Sequence, residues 1–451
     1  MPLIIENASM LLGKELSFVS QGFIEINNDG IIKKADTLGH SSFSDMIESK
    51  LSHPNITGNI NNNNNKIDAG GFFVIPGFIN AHTHIGDSIG KDIAVDSGLE
   101  TRVHPVFGIK QSILKNTRPD HLKSFMRASA VSMLKKGITA FADFREGGKF
   151  GVELLRDAIS DLPIKSVILG RVESYFEPTG KQRKNTQNIR GLITPKAKNT
   201  SKTKSLTDGQ LQKVSQVLRY SDGIGLSGAN ENTDESLSQY RDLLEKKKKN
   251  TSMVIKKPLL AIHAAESRST TEFSKLITGK SEVQRIMQYL KPDFIVHMTN
   301  AVDEDFSLLA GSGCGIVICP RANGVIGAGI PKVARMLKSG CNIALGTDNV
   351  MLNSPDILRE MDYIWKVSRA TAGAEVLSAK DVLKMATVNA AEILRLNSGY
   401  IGAGRAADLI FVEKKHIDLY PIHNPYASII HRASQDSIRA VMINGKFVNA
   451  V

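Results

Sequence analysis

Residues 74–84 read VIPGFINAHTH, an apolar run that ends in two histidines separated by one residue. In an extended chain, side chains two positions apart point to the same side, so the imidazoles of His82 and His84 can reach one metal ion. The segment therefore predicts a buried strand, Val74–Asn80, with two metal-binding side chains just beyond its carboxyl end.

Further apolar runs of strand length follow, and helical patterns lie between many of them. One apolar helical face runs from Leu122 to Met133, and Ser354-Pro355-Asp356 is typical of the beginning of a helix. Alternating strands and helices predict an α/β fold with a parallel sheet, and a count of eight strands predicts a closed (β/α)8 TIM-like barrel. The predicted strands are Val74–Asn80, Ile138–Asp143, Ser166–Arg171, Gly223–Leu226, Leu259–His263, Phe294–His297, Gly315–Cys319 and Asn342–Gly346.

Both ends of the chain have a different pattern, in which short strands are joined by tight turns. Asn27-Asn28-Asp29-Gly30 is a hairpin-type turn near the beginning, and Asn444-Gly445 is another near the end. We therefore predict a β-sandwich module formed by both chain termini around a central barrel. Its first part is residues 1–73, with a flexible loop at about 40–66; the barrel spans 74–396, and the second part of the sandwich is 397–451.

Composition narrows the classes of partner. The formal net charge is +12, but the basic segment from Lys181 to Lys204 contains no aromatic residue of the kind that stacks on nucleic-acid bases. We expect no nucleic-acid partner, and no membrane partner because no apolar run approaches the roughly 20 residues of a membrane helix. An odd number of cysteines without a CxxC motif predicts reduced thiols and a cytoplasmic location.

Three further polar residues follow predicted strands. His263 ends the fifth strand, His297 ends the sixth, and Asp348 comes directly after the eighth. Barrel active sites are built at the carboxyl ends of the strands, so these residues are expected to meet His82 and His84 there. Imidazoles together with a carboxylate suit Zn²⁺ or Fe²⁺ and leave room for a water. The pattern predicts a metal-dependent hydrolase.

Glu266 follows His263 by three residues and stays within reach of the same pocket. Beside a metal-activated water, such a carboxylate can take a proton and pass it to a leaving nitrogen. We predict this role for Glu266 in preference to the alternative, a surface acid on the loop after the strand.

Several motifs spread over nearly the whole chain carry a family resemblance. They are Pro76–His84, His263 with Glu266, His297, Cys319–Asn323, Gly346–Asn349, Gly402–Leu409 and Val441–Lys446. In combination they resemble the amidohydrolase superfamily, in the mononuclear-metal branch that contains cytosine deaminase, guanine deaminase, S-adenosylhomocysteine deaminase and the triazine hydrolases.

The resemblance implies one divalent metal ion, Zn²⁺ or alternatively Fe²⁺, held by His82, His84, His263 and Asp348. It implies that Asp348 also accepts a proton from the metal-activated water and that Glu266 relays protons to the substrate. His297 would hydrogen-bond the developing oxyanion or the water rather than bind the metal. The implied activity is that of a hydrolase of non-peptide C–N bonds, above all hydrolytic deamination of a nucleobase- or nucleoside-like N-heterocycle.

The substrate is less defined, because the first metal motif continues as Ile85–Lys91 in a way that differs from the nucleoside deaminases. Three arginines are expected near the pocket mouth and would suit an anionic or carboxylate-bearing substrate; the alternative for each is a loop salt bridge. The residues we predict to bind the substrate are Asp87, Arg145, Arg171, Arg321 and Asn323.

Other functions stay open at this point. A two-metal enzyme of the superfamily would need a modified lysine on the fourth strand, and Asp222–Gly228 contains none. Ring opening of a cyclic amide or imidazolone and a triazine-type hydrolysis are alternatives that use one metal. A non-catalytic barrel scaffold is a remote alternative, since such proteins usually lose metal ligands. Many members of the superfamily form homo-oligomers, which no residue here decides.

Overall fold

The computed structural model describes residues 2–38, 65–103, 108–172, 205–246 and 257–448. Most of the Asn-rich loop predicted at about 40–66, the basic segment 181–204 and the lysines at 247–249 lie outside the described residues.

The strands of the described residues fall into a terminal sheet and a barrel sheet. In chain order they are β1 Leu3–Leu12, β2 Ser17–Ile26, β3 Ile32–Thr37, β4 Lys66–Asp68, β5 Phe72–Pro76, β6 Phe78–His84, β7 Ile138–Arg145, β8 Lys165–Gly170, β9 Gly223–Leu226, β10 Leu259–Ala264, β11 Phe294–His297, β12 Gly315–Ile318, β13 Ile343–Leu345, β14 Asp348–Asn349, β15 Leu409–Glu413, β16 Ile438–Ile443 and β17 Lys446–Phe447.

The central sheet runs from β6 to β13 with every neighbouring pair parallel. Its two ends are joined by one chain segment: β13 pairs with β12, and β14, which two residues separate from β13, pairs with β6. The amide of Thr347, between β13 and β14, donates to the carbonyl of His82 at 2.9 Å. The sheet therefore closes on itself, and the predicted TIM-like barrel is confirmed.

Packing on both faces of the barrel strands explains their nearly continuous apolar sequence. Along β7, Ala140, Ala142 and Phe144 pack in a cluster with alternate residues of the other barrel strands, including Phe294. The intervening Phe141 packs in a second cluster that contains the apolar faces of the surrounding helices.

The first predicted barrel strand was wrong in one respect, because Val74–Asn80 spans parts of two strands that meet at Gly77. The amide of Gly77 donates to Asp408, next to the terminal strand β15, while the amide of Phe78 donates to Gly137, next to the barrel strand β7. A Cβ atom on Gly77 would lie 2.2 Å from Thr139 Oγ1, so this crossing point requires glycine. The remaining predicted strands are observed within about two residues of their predicted ends.

The terminal sheet contains strands from both ends of the chain, in the order β17-β16-β15-β5-β1-β2-β3, with β4 paired to β1. Its own apolar cluster includes Ile5, Met10 and Leu409. The predicted turn between β2 and β3 is confirmed, and Asn27 Oδ1 accepts hydrogen bonds from the amides of Asp29 and Ile31. The antiparallel pairing of β16 with β17 confirms the turn at Asn444-Gly445.

Helices connect most of the barrel strands. The predicted beginning at Asp356 is observed, since its Oδ1 accepts from the amide of Arg359 at 3.2 Å. None of the described helices is both long and apolar enough to cross a membrane. In the described part of the chain the α-helices are Leu99–Val103, Ile109–Asn116, Pro119–Lys135, Gly148–Ala158, Asp208–Tyr220, Asp234–Lys246, Arg268–Thr278, Glu282–Arg285, Asp303–Leu309, Pro320–Val325, Val333–Lys338, Ile357–Ala372, Ala379–Met385, Val388–Ile393 and Pro425–His431.

Candidate metal centre

Four donor side chains converge at the carboxyl end of the barrel. One ligand atom from each lies within 4.8 Å of the others, in the set His82, His84, His263 and Asp348. Asp348 Oδ1 is 3.3 Å from His82 Nε2 and 3.6 Å from His84 Nε2, and His82 Nε2 is 3.3 Å from His263 Nε2. The strand-end positions noted in the sequence thus bring together the four side chains predicted to bind the metal.

Backbone carbonyls of neighbouring strands orient two of the imidazoles. His84 Nδ1 lies 3.0 Å from the carbonyl of Phe144 on β7, and His263 Nδ1 lies 2.9 Å from the carbonyl of Leu226 on β9. With Nδ1 donating to these carbonyls, Nε2 of each ring keeps its lone pair for the centre of the cluster.

The protonation states of the cluster suit a metal. Burial lowers the pKa of His82 to about 3, against an opposing hydrogen bond to Asp348, and burial beside the other imidazoles holds the pKa of His263 well below its usual value. Burial opposes ionisation of Asp348, but the hydrogen bond from His82 and the nearby imidazoles lower its pKa below the ordinary value. Neutral imidazoles and an ionised carboxylate are the forms that bind metals, so the states of His82, His263 and Asp348 suit a divalent ion.

Glu266 and His297 lie beside this cluster. His297 Nε2 is 3.5 Å from Glu266 Oε1, and the Asn323 amide Nδ2 is 3.2 Å from His297 Nδ1. A donor from Asn323 at Nδ1 places the ring proton on Nε2, facing Glu266. The side chain of Glu266 is 18% exposed and its pKa is raised by burial, against the opposing effect of His297.

The backbone around these side chains is strained. Four non-glycine residues have left-handed φ values: Ala265 (49°), His297 (75°), Met298 (56°) and Asp348 (59°). Such conformations cost on the order of 1–3 kcal/mol each and persist only where other contacts hold them.

Side chains near the strained residues supply those contacts. Thr83 Oγ1 donates to the carbonyl of Asp348 at 2.9 Å. Asn300 Nδ2 donates to the carbonyl of Glu266 at 2.8 Å, and Glu282 Oε2 accepts from the amide of Ala265 at 3.0 Å. Polar side chains from three other parts of the chain thus hold the backbone that carries Asp348 and Glu266.

The predicted substrate residues lie at the same end of the barrel in different surroundings. Asp87 is buried and accepts from Asn349 Nδ2 at 2.6 Å and from the amide of Met351 at 3.0 Å. Arg321 Nη1 lies 3.2 Å from the carbonyl of Ser354 and 3.4 Å from Glu360 Oε1. Arg321 therefore makes the loop salt bridge considered as the alternative.

The other two predicted arginines, Arg145 and Arg171, both approach the carboxylate of Glu146. Arg145 Nη2 donates to Glu146 Oε2 at 2.5 Å, and its Nη1 lies 3.6 Å from Asp143 Oδ1. Arg171 Nη1 is 3.9 Å from Glu146 Oε1. Among the predicted substrate residues, Asn323 is the one with a hydrogen bond in the described structure to His297, beside Glu266.

Sequence reasoning missed several residues that shape the site. Lys110, Glu282 and Asn300 carry no motif, and each reaches the site from a helix or loop distant in sequence. Asn300 had one usable signal, since it lies three residues beyond the end of the sixth barrel strand. For Lys110 and Glu282 the sequence contains no comparable signal.

Gly86 is expected to tolerate no side chain. A Cβ atom there would lie 2.0 Å from Arg145 Nη2, because the buried guanidinium packs against the backbone just after His84. Gly86→Ala should lower the free energy of unfolding by about 1–3 kcal/mol, the usual cost of overpacking, measured by urea denaturation. Gly209→Ala is the control, since its Cβ would meet no atom within 4 Å. Equal stability of the Gly86→Ala and wild-type proteins would contradict this packing.

A family model described as "Amidohydrolase family" matches residues 73–448, from the crossing into the barrel to the last terminal strand. The chain belongs to the amidohydrolase family. It shares 37% identity over 446 residues with a putative aminohydrolase of Methanothermobacter thermautotrophicus, covering 99% of both chains. A 5-methylthioadenosine/S-adenosylhomocysteine deaminase of Thermococcus sibiricus is 27% identical over 392 residues, covering 85% of this chain and 84% of that protein.

The fold also matches solved structures of such enzymes. An adenosine deaminase from Xanthomonas campestris with bound zinc superposes with a TM-score of 0.76 at 18% identity. The match covers 99% of this amidohydrolase and 92% of that chain. At this identity the likeness shows the fold, including the barrel.

Proposed function

We propose that this amidohydrolase deaminates a nucleobase- or nucleoside-like N-heterocycle, converting a C–NH₂ group and water into a carbonyl and ammonia. One observation carries the proposal: the His82, His84, His263 and Asp348 cluster lies beside a partly exposed carboxyl, Glu266, whose pKa is raised. A carboxyl in that state can take up and release a proton during one turnover. The names of the deaminase relatives support the same chemistry.

Zn²⁺ is the ion that we propose, because three imidazoles and a carboxylate form a donor set typical of catalytic zinc. Such an ion lowers the pKa of a water molecule and stabilises negative charge on oxygen. Asp348 takes the proton of the attacking water, which its ionised state allows. Glu266 relays the two protons of the water to the ring nitrogen and the leaving nitrogen, so that both carboxyls end the turnover in their starting states. His297 donates a hydrogen bond from Nε2 to the oxygen that becomes negatively charged.

The substrate contacts form part of the same proposal. Asn323 binds the substrate directly, since it contacts His297 beside the cluster. Arg171 does so as well, because its one ion pair among the described residues is long, 3.9 Å to Glu146, and leaves the guanidinium able to bind another group. Asp87, Arg145 and Arg321 support the pocket wall through the carboxylates and amides that they contact.

The proposal is tested by ammonia release. The purified protein, with its metal content measured, is incubated with a panel of purines, pyrimidines, adenosyl nucleosides, pterins and triazines. Ammonia from one compound identifies the substrate class. A ring-opened product without ammonia would instead establish a cyclic amide or imidazolone hydrolase, and release of a halide or alkylamine would establish a triazine-type enzyme.

Removal of the metal is expected to abolish turnover reversibly. The four donor atoms of the cluster already lie within 4.8 Å of one another in the folded chain. Dialysis against a chelator should therefore leave a folded protein without activity. Addition of one equivalent of Zn²⁺ per chain should restore turnover, as measured by the same ammonia assay. Full activity of a protein shown to be free of metal would contradict the role of the cluster.

We also propose how the chain is divided into a barrel and a terminal β-module. Residues 1–73 and 397–451 form one β-sandwich around the barrel, 74–396, with the short stretch 74–76 pairing in the terminal sheet. A cytoplasmic location is supported by three free, buried cysteines, Cys314, Cys319 and Cys341, which would remain reduced there.

A further inference from the structure

A buried group of charges lies behind the metal ligand His84 and has no part in the proposed reaction. Glu146 Oε1 is 2.9 Å from His84 Nδ1, on the side of the ring opposite to the metal cluster. The side chain of Glu146 is 3% exposed. The carboxylate therefore lies next to the nitrogen of His84 that does not face the other ligands.

Three buried cations surround the same carboxylate, and Arg171 Nη1 is the most distant of them, 3.9 Å from Oε1. Arg145 Nη2 donates to Oε2 at 2.5 Å, and Lys110 Nζ lies 2.5 Å from Oε1, the oxygen that His84 approaches. Lys110 belongs to the helix Ile109–Asn116, and its side chain is 3% exposed. Arg145 thus anchors the carboxylate through Oε2, while Lys110 and His84 share Oε1.

Burying these charges costs free energy, and their arrangement affects the protonation of the His84 ring. Each buried ion loses its hydration, and ion pairs offset that loss only in good geometry. A carboxylate at Nδ1 favours the proton on that nitrogen, so that the lone pair of Nε2 faces Asp348 and the metal. Its negative charge also increases the electron density that the ring donates.

We propose that Glu146 is a positioning residue for the metal ligand His84, anchored by Arg145 and shared with Lys110. The hydrogen bond at Nδ1 goes to the carbonyl of Phe144 at 3.0 Å, and among the described residues Glu146 Oε1 makes no hydrogen bond of its own but places its charge 2.9 Å from Nδ1. This carbonyl orients the ring in any variant, and Glu146 adds the charge. The inference rests on the metal-binding role of His84 and is independent of the substrate.

The charges predict opposite effects for two substitutions. Glu146→Gln removes the negative charge and leaves an amide of the same shape, so it should weaken Zn²⁺ binding about 10–100-fold, the range for an outer partner of a ligand. Lys110→Met removes a cation and frees Oε1 for His84, so Zn²⁺ binding should be as tight as in the wild type or tighter. A purely structural role of the network would weaken binding in both variants.

The experiment measures the dissociation constant of Zn²⁺ by competition with a chromogenic chelator at one pH. Asp222→Asn is the matched control: Asp222 is a buried carboxylate that pairs with Arg156 before β9, at the opposite end of the barrel. Its Zn²⁺ affinity should stay at the wild-type value. The absorption spectrum of the Co²⁺-loaded proteins should change in Glu146→Gln and not in Asp222→Asn.

Two results would overturn the proposal. One is wild-type Zn²⁺ affinity in Glu146→Gln; the other is an equal loss of affinity in Glu146→Gln and Lys110→Met. Because the probe is the metal alone, either result leaves deamination to be judged by ammonia release. Conversely, a protein that releases no ammonia still tests Glu146 through its metal affinity.

Discussion

Asp348→Asn is expected to reduce ammonia release at least about a thousandfold, since it removes a proton acceptor and a charged metal ligand together. The carboxylate Oδ1 lies within 3.6 Å of both His82 Nε2 and His84 Nε2, and it is ionised at neutral pH. An amide at this position keeps the shape of the side chain and loses its charge. Turnover and metal content per chain are measured on the same preparation.

The choice of asparagine separates chemistry from folding. Asp348 has a φ of 59°, a left-handed conformation that asparagine adopts more readily than most residues. The variant should therefore unfold at a temperature close to that of the wild type, whereas alanine would add backbone strain. Wild-type turnover in a folded Asp348→Asn protein would exclude Asp348 from the mechanism.

Glu266→Gln is expected to cut turnover at least about a hundredfold while the protein keeps its metal, the loss typical of a missing general acid–base. Glutamine cannot exchange a proton in the neutral range, although its shape still fits opposite His297. The hydrogen bond from Asn300 to the backbone carbonyl of residue 266 is unaffected by the change. The position of the loop should therefore be preserved, and metal analysis with single-turnover kinetics should isolate the proton step.

A control for Glu266 lies on the next helix. Glu272 is a surface acid that pairs with Arg268, and Glu272→Gln should leave both turnover and metal content unchanged. Near-normal turnover in Glu266→Gln would remove this residue from the mechanism. Loss of metal in that variant would show instead that Glu266 is a ligand.

The barrel was predictable because its determinants are local. Each of its strands is an apolar run bounded by turn residues, and parallel strands covered on both faces need no alternation of polar and apolar residues. The prediction was wrong at Val74–Asn80 because the apolar run continues through the crossing from one sheet to the other. The change of hydrogen-bond partners at Gly77 depends on Asp408 and Gly137, which are distant in sequence.

The meeting of the side chains predicted to bind the metal was predictable for a related reason. Parallel strands end at one edge of the barrel, so a histidine at the end of β6 and one at the end of β10 are expected to meet wherever the strands close into a ring. The structure brings those residues within reach of Asp348, as the ligand prediction requires. Their roles in binding and catalysis stay predictions that the variants above test.

The arginines show where sequence reasoning ends. Arg145, Arg171 and Arg321 all lie at the ends of predicted barrel strands or just beyond them, and position alone left both substrate binding and a loop salt bridge open for each. In the folded chain Arg145 is paired with Glu146 and Arg321 with Glu360. A strand-end position places a side chain near the pocket. The charged groups around that side chain come from other segments, and local sequence patterns do not show which segments will lie next to it.

From the amino-acid sequence alone, apolar runs and strand-end positions predicted the barrel and the meeting of the donor side chains, because both are properties of neighbouring residues; the resemblance of the combined motifs indicated the family and the set of four ligands. Only the tertiary structure decided the partners of those donors: the Phe144 carbonyl and Glu146 behind His84, Lys110 beside Glu146, and Glu282 and Asn300 on the loop of Glu266. Each contact joins segments that meet only after the barrel closes. The physical reason is that a hydrogen bond or ion pair depends on distance in space, which local sequence patterns do not encode.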